Sequence, residues 1–343
     1  MTLDDAVALS LTPNLLRIGL TDRLRAGDPH LLEQAERRRA EAREVRLRAE
    51  ADGIGVLAWN DPRFPAALLT IPDAPPAIWY RGDLDSMRRP AIAIVGSRSA
   101  SAVALEIAAR LGGDLAARGV VVVSGLARGV DSAAHRGAVA RGHTIAVLGC
   151  GVDVIYPPEH AALTLEIVAR GIVLSEFPPG TAPLPFHFPL RNRLISGLSR
   201  AVVVIEASEQ SGSLITAGCA LDQGRDVMAV PGNVLSGRNR GGHALIRDGA
   251  KIVETVDDIL EEFGWHPPRA AAGHDGPTGS IETTCMDPIL GVMRSGEAYE
   301  LEALSATAGI DGVGLLPRLL ELELQGFVQR VDGGRFMRSA RPC

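Results

Sequence analysis

From residue 91 to 253 the chain alternates short apolar runs with longer stretches whose apolar positions recur at helical spacing. The runs at 92–95, 120–123, 144–148, 172–174, 202–205, 227–230 and 252–253 are apolar nearly throughout, which predicts strands covered on both faces. Helical spacing at 103–118 and 214–223 falls between such runs, so the segment reads as βαβ units building a doubly wound, mostly parallel α/β sheet. Ahead of it, apolar spacing over 3–20 and 31–47 predicts a small helical domain at 1–52, followed by a proline-rich extended connection at 61–76. The α/β domain is expected over 53–264. Residues 265–284 are rich in Pro, Ala and Gly with no apolar period and read as a linker. In 285–343, helical segments at 289–293, 301–308 and 313–325 precede a hairpin over 327–336 turning at Asp332, Gly333 and Gly334, the order of a winged helix.

Composition narrows the chemistry. With 46% hydrophobic and 22% charged residues the chain has the make-up of an ordinary globular protein. Its formal net charge of −6 means that any polyanion must be held by local clusters of positive groups. Lys251 is the only lysine, so those clusters are made of arginine. Cys150, Cys219, Cys285 and Cys343 lie far apart with no CxxC, which argues against a disulfide scaffold or a zinc site. Residues 1–20 carry Asp4 and Asp5 and no basic leader, and no apolar run is long enough to span a bilayer. A cytoplasmic protein with no membrane partner is expected.

In an open parallel sheet, ligands bind beyond the carboxyl ends of the strands, where loops meet helix N-termini. Four such loops carry groups an anion would use: Gly96-Ser97-Arg98-Ser99, Ser124-Gly125-Leu126-Ala127-Arg128-Gly129, Gly149-Cys150-Gly151, and the stretch 208–213 with Ser211, Gly212 and Ser213. Glycine lets backbone amides approach a phosphate, and arginine adds a two-pronged contact. A longer loop is expected over 175–192. It contains Phe186, His187 and Phe188, followed by Arg191, Asn192 and Arg193, a mixture suited to base stacking with phosphate contact. Each glycine loop has a purely structural reading too, as tight packing of the following helix, and the phenylalanines have one as core.

No GxGxxG or GxxxxGK[ST] occurs, so a standard dinucleotide or nucleoside triphosphate cofactor is not expected. The acid–base candidates Asp131, Glu176, Glu206 and His135 all have structural explanations, Asp131 as a helix N-cap, and no histidine pair has HxH or HExxH spacing. Binding without catalysis or metal is therefore expected. Two other classes compete. A nucleotide phosphoribohydrolase of similar architecture would show a PGGxGTxxE loop, whereas residues 211–217 read SGSLITA with no acid after threonine. An adaptor acting through its winged helix would need a basic face, but the acids of 285–343 outnumber the arginines.

The blocks Ile94-Val95-Gly96-Ser97-Arg98, Ser124 to Asp131 (SGLARGVD), Ala146-Val147-Leu148-Gly149, Phe188 to Ser199 (FPLRNRLISGLS), Ser211 to Ala217 and Ala229-Val230-Pro231-Gly232 together resemble the DNA-processing protein A family, also called Smf or DprA. The resemblance covers roughly residues 61–258. It implies a Rossmann-like domain that binds single-stranded DNA, forms homodimers and loads a RecA-type recombinase during natural transformation. It also implies that Arg98, the Phe186 to Phe188 stretch and Arg191-Asn192-Arg193 lie at the DNA site.

Overall fold

The computed structural model describes residues 1–12, 19–265, 287–294, 297–331 and 334–338. They divide into two compact units, 1–268 and 269–343. The expected linker lies almost wholly outside the described residues, as do Asp332 and Gly333 of the expected hairpin turn.

The first unit opens with helices α1 (Leu3–Ser10), α2 (Leu20–Arg25) and α3 (Pro29–Ala51). Local chemistry starts them. Thr2 and Asp5 form a capping box on α1, while Asp28 caps α3 directly before a proline at its first position. Arg39–Asp5 and Arg46–Asp4 ion pairs, both 2.7 Å, join α3 to α1. These helices share one core with the sheet, since Ala6, Val7, Leu9 and Leu31 cluster with Val56, Trp79, Val173 and Ile167.

The sheet has nine strands: β1 (Gly55–Ala58), β2 (Ala77–Gly82), β3 (Ala91–Gly96), β4 (Val121–Ser124), β5 (Thr144–Val147), β6 (Ile172–Ser175), β7 (Ala201–Ile205), β8 (Asp226–Ala229) and β9 (Lys251–Ile252). Their spatial order is β1-β2-β6-β5-β4-β3-β7-β8-β9. From β6 to β9 all pairings are parallel, and all seven strands expected from the apolar runs are present. The sheet is doubly wound: Ala91, Ala93 and Val95 of β3 enter one core, and Ile92 and Ile94 enter the other. On the second face lie α4 (Ala102–Ala117), α5 (Val130–Arg141) and α10 (Val256–Glu262). On the first lie α7 (His187–Gly197) and α8 (Gly212–Asp222), with α9 (Arg240–Arg247) following β8, while α6 (Ala161–Arg170) lies on the second face, its Leu163 and Ile167 clustering with Ala146 and Val173.

Two features depart from the sequence reading. β1 and β2 form an antiparallel edge, β2 pairing with β6 so that Trp79 faces Ser175 and Tyr80 faces Leu174. Short apolar runs beside prolines do not reveal a partner ninety residues away, because strand pairing is non-local. The expected loop over 175–192 ends early: α7 begins at His187, with Pro189 tolerated in its first turn.

The second unit contains α11 (Pro288–Val292), β10 (Ala298–Tyr299), α12 (Leu301–Ala308), α13 (Gly312–Leu324), β11 (Val328–Val331) and β12 (Arg335–Arg338). The antiparallel sheet β10-β12-β11 and the helix order are those of a winged helix. Its core joins Leu290, Leu304, Leu315, Leu319 and Phe336. The outer face of α13 carries exposed Leu316, Leu320 and Leu324, and its Arg318 is paired with Asp287 and Glu321. Among the described residues no helix is long and apolar enough to cross a membrane.

Candidate functional site

Chain order reverses between β3 and β7: from β3 the chain winds outward through β4, β5 and β6, then returns to place β7 on the other side. Loops diverge at such a switch point and leave a crevice. A cleft of about 390 Å³ lies there, walled by the β3 loop (Gly96 to Ser99), by Ala127 and Asp131, by α7, and by Ser208 and Ser211 to Ser213. A smaller hollow of about 70 Å³ adjoins it, bounded by Arg98, Gly125, Arg128, Tyr156, Phe188 and Arg191.

Close backbone approach builds the β3 side. Gly129, at φ +77°, passes so near the β3 loop that a Cβ there would lie 2.2 Å from the Ser97 carbonyl oxygen. The next amide, of Val130, donates to that same oxygen at 3.2 Å. Glu206, at φ +50°, accepts from the amide and hydroxyl of Ser101 at 2.9 and 2.5 Å and so fixes the start of α4. Asp131 is not the cap of α5. It is the second residue of the helix and reaches back to accept from the amides of Gly125 and Ala127 at 3.1 and 3.4 Å, holding the arginine-bearing loop in shape. Burial raises the pKa of its carboxyl, opposed by Arg191, by the two amides and by Arg98.

Helical geometry sorts the residues of α7. Phe188, Arg191, Asn192 and Ile195 follow i, i+3, i+4, i+7 spacing and line the cleft together. His187 and Arg193 are thereby turned away. His187 is buried and stacks on Phe177 with centroids 4.1 Å apart. Arg193 is buried in ion pairs with Asp73 (2.9 Å) and Glu176 (2.6 Å), tying α7 to the proline-rich segment. The expectation that residues 191–193 act as one contiguous triplet is corrected accordingly, because successive residues on a helix point about 100° apart. Ser124 is likewise outside the cleft: fully buried, it donates to the Ile94 carbonyl at 2.6 Å.

Arg191 forms the floor. Only 3% exposed, it donates to the carbonyl oxygens of Gly125, at 2.6 Å, and Val147. Burial pushes its pKa down to about 10, with Asp131 opposing, so it is charged at neutral pH. Gly125 is small for that reason: a Cβ there would lie 2.3 Å from the guanidinium. Arg98 is exposed at the rim, its guanidinium 5.7 Å from the centroid of the Phe188 ring, and Phe188 in turn packs against Tyr156 at 5.4 Å. Arg128 is exposed and paired with Glu159. Phe186, 62% exposed, caps α7 outside both hollows. Across the cleft Ser211 caps α8, accepting from Ser213 at 3.4 Å, and Gly212 leaves that helix terminus open.

The sequence reading overlooked Tyr156, Ile195 and Thr216 as lining residues, and explained Asp131 as a cap. Tyr156 was within reach, because it follows β5 in a strand-end loop that was followed only as far as Gly151.

The acid–base candidates are engaged structurally. His135 is fully buried on α5, its Nδ1 2.7 Å from the Thr144 hydroxyl, and burial pushes its pKa down to about 3. Its folded pKa lies below the ordinary value, so its neutral form contributes stability that is complete above about pH 6.5 and is lost as pH falls toward 3. We expect the unfolding free energy from urea titrations to fall over that window with a slope of up to about 1.4 kcal/mol per pH unit from this residue, and His135→Gln to flatten the profile. Equal slopes for the two proteins would remove His135 as the cause. Among the described residues no three His, Cys, Asp or Glu side chains converge as a metal-binding group.

Comparison with known proteins adds to this geometry. The profile of the family described as DNA recombination-mediator protein A matches residues 55–264. The protein Smf of Escherichia coli K12 is 39% identical over 285 residues, covering 82% of this chain and 76% of Smf. The DNA processing protein DprA of Streptococcus pneumoniae is 47% identical over 204 residues, 59% of this chain and 72% of that protein. A crystal structure of the pneumococcal protein superposes with a TM-score of 0.68 at 36% identity, covering 77% of this chain and 99% of that one. A Helicobacter pylori DNA processing protein A, solved for insight into its single-stranded DNA binding mode, matches at 28% identity with a TM-score of 0.57, over 62% of this chain and 97% of its own. The family match runs from the first strand of the sheet past its last and takes in every wall of the cleft, and the chain belongs to the DNA recombination-mediator protein A family.

Proposed function

We propose that the switch-point cleft binds single-stranded DNA without catalysing a reaction, and that the bound strand is passed to a RecA-type recombinase in natural transformation and recombination. The observation that carries this reading is the meeting of an exposed arginine, Arg98, in no ion pair among the described residues, with Phe188 and Tyr156 at the mouth of a cleft bordered by an open helix N-terminus. Guanidinium and amide groups hold phosphates, and an aromatic face accepts a base of any sequence. Such a site suits a strand whose bases are unpaired. Binding without turnover is supported by the engagement of Asp131, Glu206, Glu176 and His135 in structural bonds. The Helicobacter relative's single-stranded DNA binding supports the same ligand here. Action as a homodimer in the cytoplasm, with the site residues Gly96, Ser97, Arg98, Gly125, Arg128, Gly129, Phe188, Arg191, Asn192, Ser211, Gly212 and Ser213, completes the proposal.

A salt-titrated binding assay with single and double strands, run beside a nucleotide-hydrolysis assay, tests it. Arg98→Ala is expected to weaken single-strand binding for all sequences and to flatten the log–log salt slope by about 0.7. Phe188→Ala is expected to cost roughly 1 to 3 kcal/mol of binding through lost stacking, with the slope unchanged. Nucleotide turnover, or an Arg98→Ala slope equal to the wild type, would overturn the assignment.

A further inference from the structure

A second hollow of about 360 Å³ lies on the β7–β8 side of the cleft, bordered by Ser208, Glu209, Gln210, Ser236, Arg238 and Arg240. It adjoins the cleft. Ser208 lines both, and Arg238 Nη1 donates to the carbonyl oxygen of Ser99, which belongs to the cleft wall, at 3.1 Å. We propose that Arg238 and Arg240 form a second phosphate subsite, along which the strand leaves the cleft. This proposal rests on the single-strand reading above and gives the bound strand a direction.

Charge supports it. In a chain with net charge −6 a polyanion is held only where positive groups are not already neutralised. Arg128 is paired with Glu159, and Arg193 with Glu176 and Asp73. Arg238 and Arg240 are exposed, and neither is within ion-pair distance of a carboxylate among the described residues. Glu209 is the one acid at this hollow, leaving the two guanidinium groups in excess.

The loop is also held in place before any ligand arrives. Asn239, between the two arginines, is 3% exposed; its Oδ1 accepts from the Ala207 amide and its Nδ2 donates to the Val230 carbonyl, both at 3.0 Å. These bonds tie the loop to the ends of β7 and β8, so less ordering entropy is lost when a phosphate binds.

The test uses the full chain, with oligo-dT of about four nucleotides to fill the cleft alone and about twelve to reach the second hollow. Anisotropy titrations at several salt concentrations compare wild type with Arg238→Ala/Arg240→Ala. The double variant is expected to bind the short strand as wild type does. On the long strand it should lose about 1.4 in salt slope and roughly tenfold in affinity at low salt, and lysine at both positions should restore the slope. A wild-type slope on the long strand, or equal weakening of short and long strands, overturns the subsite. Failure of the wild type to bind either length overturns the single-strand reading itself, a result distinct from the other two.

Discussion

Arg191→Ala should lower the unfolding midpoint by roughly 10 °C and abolish strand binding, the largest effect expected of any single change in the cleft. Three groups lose a partner at once. The carbonyls of Gly125 and Val147 are left without their donor, and the Asp131 carboxylate loses a cation whose field offsets its burial. Removing one member of such a buried charged set typically costs about 3 to 5 kcal/mol. The guanidinium also sets the shape of the loop from Gly125 to Arg128, so binding should fail even at temperatures where circular dichroism shows the variant folded. Arg191→Lys keeps a charge and one donor nitrogen, as Nη1 alone donates to both carbonyls, but loses the Nε bond to Asn192 Oδ1 and the planar guanidinium, and should fall between the two proteins in stability. An alanine variant that melts within a degree or two of wild type would remove Arg191 from the floor of the site.

Gly129→Ala tests the opposite wall. At φ +77° and ψ −127° the residue occupies backbone space that side chains rarely enter, a strain of about 1 to 3 kcal/mol for alanine. The added Cβ would also lie 2.2 Å from the Ser97 carbonyl oxygen and 2.9 Å from the carbonyl carbon and oxygen of Arg98, all backbone atoms. The β3 loop must then shift and carry Arg98 away from Phe188. A loss of stability is expected together with a salt slope resembling that of Arg98→Ala. Gly212→Ala is the matched control within the same cleft, since its Cβ meets nothing within 4 Å and it lies in the first turn of α8. Alanine there should leave stability equal to wild type or raise it by up to about 1 kcal/mol. If both glycine variants behave alike, the close approach of Gly129 to the β3 loop is not what holds the site.

What the chain by itself determined was the periodic part of the protein. Buried parallel strands must be apolar on both faces, so β3 to β9 were readable as runs, and the strand-end rule led from those runs to Gly96, Arg98, Gly125 and Ser211 to Ser213. The blocks that identify the family lie in the same loops. Tertiary structure decided what depends on direction and on distant partners. The edge pair β1 and β2 exists because of β6, and no local signal reports it. Along α7 the helical turn separates Arg191, on the cleft floor, from His187 and Arg193, which sequence adjacency had grouped with it. Asp131, Tyr156 and the Arg238–Arg240 loop join the cleft only because the chain returns from β6 to β7, beside β3. Periodicity is a property of neighbours along the chain and is written in the sequence; convergence is a property of neighbours in space and is settled by how the sheet is wound.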